Sequence, residues 1–392
     1  MNVRCIAIDF DYTVAHFSDP AEKGLFDIFR RRGVDEITII KVYEDVVRRG
    51  FSIDKFAREI ETCNADLDLS DMTVIRQEFD VWLKNALELY EDTLPAMEQW
   101  RKLGIPIVFV TAGVSEHQLR KITLVGIPYD DVRVVSPPKR KSEVLEQIVD
   151  RYGSPVIFID DKVDDLQETQ KRLDKKVVAV HIYRSDSPYK EKHKDHSGPR
   201  ILSLAKVNTI INVLENGITI RRANRADISA IARVNSDVFL GNKADLKAAV
   251  DWITCWYNAF PLYQYFVAET AGNKAEVVGY VGWQTHGGFL RPEPVIELEQ
   301  IGADPTVQGL GIGPRLEESI KDVIEWLRSV NDRIESHIDV VVWGYALNFN
   351  AMSIYAKKFS EGVRGMRLMY SDRAENMLRW KIPLIMPIRR DQ

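Results

Sequence analysis

The chain has 392 residues, 45% of them hydrophobic and 28% charged, with a formal net charge of −5 at pH 7. That length supports two sizeable cores, and the slightly acidic balance gives no general attraction to nucleic acid or anionic membrane. No apolar run approaches the roughly 20 residues that span a bilayer, the first strand starts too early to leave room for a signal peptide, and Cys5, Cys63 and Cys255 are too scattered for a metal site, which fits reduced thiols in a cytoplasmic protein.

The first half alternates strand-like and helix-like segments. Strands are predicted at Val3–Ile8, Ile105–Val110, Val132–Val135, Val156–Ile159 and Lys176–Ile182, an order that makes a parallel sheet covered by helices. The interval from Ala15 to Tyr90 reads as helical throughout, with amphipathic stretches at Glu36–Arg49 and Thr73–Glu91. It is too long for a simple crossover, so a helical cap is expected over about residues 15–95. From Arg184 to Gly198 the chain turns polar, as a solvated loop does. A helix over Leu202–Leu214, ended by Glu215-Asn216-Gly217, closes a first domain of residues 1–216.

The pattern then changes. Strands are predicted at Ile218–Ala223, Gln264–Glu269, Glu276–Thr285 and Val295–Ala303. A helix over Glu317–Ser329 follows, then strand Val340–Tyr345, helix Asn348–Phe359 and strand Met366–Tyr370. There is no internal repeat, so residues 217–392 form a second, unlike domain. The expected fold class is α/β: a parallel sheet with a helical cap, then a mixed α/β domain.

The first strand ends in Asp9-Phe10-Asp11-Tyr12-Thr13. Two carboxylates one residue apart at the C-terminal tip of a buried parallel strand repel each other and lose hydration. Ligands bind at such tips in open α/β sheets, and Mg²⁺ with a phosphate would resolve the conflict. Thr111-Ala112-Gly113 ends another strand, Lys139 and Lys141 precede the helix at Ser142–Val149, and Asp160, Asp161, Asp164 and Asp165 follow a fourth. In order and spacing this set resembles the four motifs of the haloacid dehalogenase-like superfamily, mostly phosphohydrolases. The resemblance makes Asp9 the nucleophile that forms an aspartyl-phosphate and Asp11 the general acid and base. It gives Thr111 and Lys141, or Lys139, the grip on the phosphoryl group. Mg²⁺ falls to Asp9, Asp11 and Asp161, with Asp160 or Asp165 in support. Tyr12 departs from the glycine or asparagine usual in that family.

In the second half Gln308-Gly309-Leu310-Gly311-Ile312-Gly313 follows strand Val295–Ala303 and opens a helix. Such glycines let backbone N–H groups reach an anion. A dinucleotide fingerprint shares the pattern, but the βαβ context and the distant acidic residue are missing. The string resembles the pyrophosphate loop of the GCN5-related acetyltransferase (GNAT) fold, and Asn348-x-x-Ala351-x-x-x-Tyr355 resembles its later helix. The resemblance assigns acetyl-CoA, or another acyl-CoA, to Gln308, Gly309, Gly311 and Gly313. Ile301 and Ala303 pair with the pantetheine arm, Asn348 belongs to the same cofactor site, and Tyr355 protonates the departing thiolate. Glu297 and Glu299 share a face, and Glu299 matches better the position of a base that deprotonates an amine. The aromatic run from Trp252 to Phe266 reads mainly as core and cover.

The expectation for the whole is a cytoplasmic bifunctional enzyme: an Mg²⁺-dependent phosphohydrolase joined to an acyl-CoA-dependent N-acyltransferase. Its partners would be a small phosphorylated substrate and an amine acceptor, without nucleic acid or membrane. Two alternatives stand beside it. One is a glyceryl-loading enzyme that moves a phosphorylated three-carbon acid to an acyl carrier protein. The other is a phosphatase with a degenerate acyl-CoA-sensing domain.

Overall fold

The computed structural model describes residues 2–18, 21–64, 69, 71–136, 138–240, 246–272, 275–286, 294–334, 337–345, 363–369 and 373–383. The chain divides into two compact units, Met1–Glu215 and Asn216–Gln392.

The first unit is built on six parallel strands: β1 (Cys5–Ile8), β4 (Ile107–Ala112), β5 (Asp131–Val135), β6 (Val156–Asp160), β7 (Val177–Ile182) and β8 (Arg200–Ile201), in the order β5-β4-β1-β6-β7-β8. Every residue of β1 and β6 is buried, because helices cover both faces of a parallel sheet. Cys5, Ala7, Val108, Phe158 and Ala179 form one side's core with Leu145 and Ile148. Those two lie on α7 (Lys141–Tyr152), which precedes α8 (Val163–Leu173) in the chain. The central position of β1 puts its tip beside those of β4 and β6.

Between Phe17 and Leu87, among the described residues, lie four helices, α1 (Ala21–Arg30), α2 (Glu36–Arg48), α3 (Ile53–Cys63) and α4 (Met72–Ala86). Asp35, Ser52 and Asp71 cap the last three by accepting the N–H of Thr38, Lys55 and Val74. The interval is not helical throughout, however. β2 (Ala15–Phe17) and β3 (Leu87–Leu89) form a short antiparallel ladder that closes the base of the cap. Three-residue strands are too short to show a period, and their pairing spans some seventy residues. Two further helices, α5 (Thr93–Lys102) and α6 (Ser115–Val125), flank β4 in the chain, and α9 (Val207–Asn216) follows β8.

The polar segment after β7 is also more than a solvated loop. Arg184, Ser187 and His196 are buried within it. The Arg184 guanidinium is held by both Asp92 oxygens at 2.8 and 3.1 Å, donates to the Thr13 carbonyl, and lies 3.9 Å over the Tyr90 ring. A polar stretch is buried at low cost when its charges are paired in this way.

The second unit begins with β9 (Ile218–Arg222), α10 (Ile228–Asn235) and α11 (Leu246–Tyr257). Then come β10 (Tyr263–Thr270), β11 (Val277–His286), β12 (Val295–Ala303), α12 (Ile312–Glu317) and α13 (Ile320–Val330), and finally β13 (His337–Tyr345), β14 (Val363–Met369) and β15 (Arg373–Pro383). Among the described residues seven strands run in the order β14-β15-β13-β12-β11-β10-β9, and only their β12–β13 pair is parallel. The predicted helix Glu317–Ser329 is found as α13, starting at Ile320, while Glu317 ends the separate α12; between them the Ser319 hydroxyl donates to Leu316 O and accepts from Trp283 Nε1. β15 was not foreseen. The predicted helix Asn348–Phe359, with Asn348 and Tyr355, lies outside the described residues.

Candidate functional site

In the first unit the strand tips gather the expected side chains. Asp9 follows β1, with its N–H bonded to Ile159 O at 2.9 Å. Asp160 ends β6, and Asp161 comes next. Ligand oxygens of Asp9, Asp160 and Asp161, all buried, lie within 4.8 Å of one another. Lys141, the first residue of α7, is buried and donates to Asp9 Oδ1 at 2.8 Å and Asp160 Oδ2 at 2.7 Å, with Asp165 at 3.7 Å. Lys139 is exposed, whereas Lys141 reaches the carboxylates. Thr111 is buried near the end of β4 and lines the same cavity as these residues.

One ammonium cannot neutralise three carboxylates. Burial, then the neighbouring Asp160, push the Asp9 carboxyl up to about 7 against the pull of Lys141. Burial with Asp160 and Asp9 push Asp161 up to about 8, and burial raises Asp160 as well. Burial would lower Lys141, but Asp160 and Asp9 hold it well above the ordinary lysine range. Excess negative charge among hard oxygen donors is what a divalent cation relieves, so the donor set fits Mg²⁺.

Asp11 takes a different position from the one expected for a metal ligand. Its carboxylate lies 2.5 and 2.6 Å from Lys121 Nζ and 3.1 Å from Gln118 Nε2, and it is absent from the three-carboxylate cluster. Asp160 takes its place there. Burial raises the Asp11 carboxyl, but Lys121 and Gln118 outweigh burial and hold it below the usual carboxylate range. Gln118 also donates to Ala112 O at 2.8 Å, so α6 ties Asp11 to the tip of β4. Tyr12 has φ +54°, the left-handed region that explains the family's usual glycine or asparagine. The strained turn is fastened by Tyr12 N–H to Ala15 O at 2.7 Å.

Three residues here escaped the sequence reading. Gln118 and Lys121 are three apart on α6 and therefore share a face, a signal the sequence does hold. Ser187 donates to Asp161 Oδ2 at 2.5 Å from the segment read as a solvated loop, and nothing local announces it. The cavity, about 360 Å³, is walled on the far side by cap residues including Tyr43, Phe51 and Trp82.

In the second unit the β12–β13 ladder runs from Val295 to Leu298, and Gln300 to Ala303 have no β13 partner in it among the described residues. This stretch holds Ile301 and Ala303. A register shift on the other side pairs Gly282 with Gln300 and Trp283 with Leu298, which leaves Glu299 as the extra residue of a bulge. Bulges re-aim a side chain. Glu299 accepts from Tyr263 Oη at 2.8 Å, whereas Glu297 meets His286 Nε2 at 2.6 Å. The two glutamates thus have different neighbours.

After β12, Gln308 donates to Ala303 O at 3.2 Å. Gly309 and Gly311 have φ +78° and +80°, where a side chain is strained, and Gly313 lies in α12 with open space around it. Of the aromatic run, Tyr263, Tyr265 and Phe266 are buried, while Trp252 and Phe260 are about half exposed.

Residues 3–168 match the family described as haloacid dehalogenase-like hydrolase, and residues 234–359 match the acetyltransferase (GNAT) family. No curated protein matches the chain. Among solved structures, a haloacid dehalogenase-like family hydrolase from Xanthomonas campestris is 14% identical, covering 54% of this chain and 92% of that one, with a TM-score of 0.37. The ribosomal-protein-S18-alanine N-acetyltransferase of Escherichia coli is 19% identical, covering 45% and 99%, with a TM-score of 0.30. The yncA protein of Salmonella typhimurium, solved with acetyl-CoA, is 19% identical, covering 42% and 94%, with a TM-score of 0.31. The chain carries a haloacid dehalogenase-like hydrolase domain followed by a GNAT acetyltransferase domain. No helix among the described residues is long and apolar enough to cross a membrane.

Proposed function

We propose that this chain is a bifunctional enzyme: an Mg²⁺-dependent phosphohydrolase working through Asp9, joined to an acyl-CoA-dependent N-acyltransferase that uses the bulged β12. The observation that carries the first half is the buried group of Asp9, Asp160 and Asp161 around Lys141. Asp9 Oδ attacks phosphorus and the phosphorus bond to the ester oxygen breaks, while Asp11, released from Lys121 and protonated as substrate binds, gives that oxygen a proton. Asp11 then takes a proton from water, whose oxygen displaces Asp9 and releases phosphate. Lys141 and Thr111 hold the phosphoryl oxygens. Mg²⁺ bound by Asp9 and Asp161, with Asp160 beside them, would neutralise charge that develops on the phosphoryl group.

In the second half Glu299 deprotonates an amine, directly or through water, and the amine nitrogen attacks the thioester carbonyl. The backbone of Ile301 and Ala303, paired with β11 but beyond the β13 ladder, holds the pantetheine arm, and the turn from Gln308 to Gly313 holds the pyrophosphate. Tyr355 protonates the thiolate and Asn348 supports the cofactor. A small phosphorylated metabolite and an amine are the reactants, in keeping with a cytoplasmic location.

A screen of phosphorylated metabolites with Mg²⁺, coupled to thiol release from acetyl-CoA with an amine panel, tests both halves. Asp9→Asn should abolish phosphate release and leave acyl transfer intact. Phosphate release that persists in Asp9→Asn sinks the assignment. A carrier protein that gains mass in place of either activity would favour the loading reaction.

A further inference from the structure

The cavity above the carboxylates changes character from floor to wall. Its floor holds the charged groups described above, whereas the cap contributes Tyr43, Val47, Phe51 and Trp82. Phe17 joins them from β2, and His117 from α6. Among the described residues, none that the cap supplies to this lining is charged. The rings touch one another: Phe17 stacks on Trp82 with centroids 5.8 Å apart, and Phe51 meets His117 edge-on at 5.1 Å. Val47 is 47% exposed and Phe51 only half-buried, so apolar surface beside the cavity remains uncovered by the cap's own packing. Burial, with Lys121 nearby, pushes His117 down to about 3, so this ring offers hydrogen bonding without charge at neutral pH.

Resting on the phosphohydrolase reading, we infer that this site takes phosphate monoesters whose organic part is an uncharged aromatic group, and that it discriminates against polyhydroxylated sugar phosphates. A flat ring gains stacking against Phe51 and Trp82 while its phosphate meets Lys141 and Thr111. Sugar hydroxyls pressed against the same wall would lose water and find few partners. A volume of about 360 Å³ suits a phosphate with one ring system and excludes an extended phosphopeptide.

The test compares kcat/KM of the full chain with Mg²⁺ on 2-phenylethyl phosphate, glycerol 3-phosphate and glucose 6-phosphate. All three are alkyl esters, so leaving-group acidity does not bias the comparison. The phenylethyl ester should be preferred by tenfold or more, on the order expected for one well-fitted apolar group. Phe51→Ala should narrow that preference about tenfold through KM, as should Val47→Asp, which puts a charge at an already exposed position. A glycerol or glucose ester turned over as well as the aromatic one, or a preference that neither variant changes, overturns the inference and leaves the phosphohydrolase reading standing. Failure to release phosphate from all three and from p-nitrophenyl phosphate removes that reading, and this inference with it.

Discussion

Lys141 offers the sharpest test of how the first site is held together. Its ammonium contacts Asp9 at 2.8 Å and Asp160 at 2.7 Å, and all three groups are buried. Lys141→Met keeps the aliphatic stem and removes the only positive charge within bonding distance of both carboxylates among the described residues. Breaking a buried ion pair by deleting one partner costs about 3–5 kcal/mol, because the other charge stays buried and uncompensated. For a domain of this size that is a fall in Tm of roughly 6–20 °C.

The deficit should depend on pH with a defined sign. Lys141 itself stays protonated in both states between pH 5 and 8, since its folded value is raised. Asp9 and Asp161 are raised from 3.8 to about 7 and about 8, so the folded protein keeps protons that the unfolded chain has already lost. Their effect on stability is therefore most favourable below about pH 4 and declines as pH rises through 7 to 8. Without Lys141 those protons are held still more firmly, so the gap from wild type should widen between pH 5 and pH 8. The assay is thermal unfolding at pH 5, 6.5 and 8 in EDTA, with Asp160→Asn/Lys141→Met as the control. The double variant removes both partners and should lose less than the single one. Phosphate release by Lys141→Met should fall by 10²-fold or more, the loss typical of one preorganised charge. A single variant as stable as wild type at pH 8, or one whose deficit shrinks with rising pH, would refute this account.

Other outcomes follow from the same geometry. EDTA should abolish phosphate release, and added Mg²⁺ should raise the Tm of the wild type more at pH 8 than at pH 5, since protons compete for Asp9 and Asp161. Ser187→Ala, which removes the hydroxyl donor to Asp161, should lower Mg²⁺ affinity or activity by about 10–100-fold with little change in fold, read from a Mg²⁺ titration of initial rate. Gly311→Ala meets no atom within 4 Å but places a Cβ at φ +80°, so calorimetry should find weaker acetyl-CoA binding at a stability cost of only about 1–2 kcal/mol.

The sequence alone located the strand tips of the first unit, since short buried runs ending in Asp or Thr carry their meaning locally. Asp9, Thr111, Asp160 and Asp161 were all legible in this way, as was β12 with its following glycine turn. Tertiary structure decided what depends on residues far apart in the chain. It brought Lys141 to Asp9 across 132 positions while leaving Lys139 exposed, and it set Asp11 against Lys121, 110 positions away, outside the acidic cluster. It also drew Ser187 onto Asp161, bulged β12 at Glu299, and turned the cap's aromatic rings toward one cavity. A residue's own neighbours set its backbone, but the charge it faces, and hence its pKa and its chemistry, depends on which distant segments folding brings beside it.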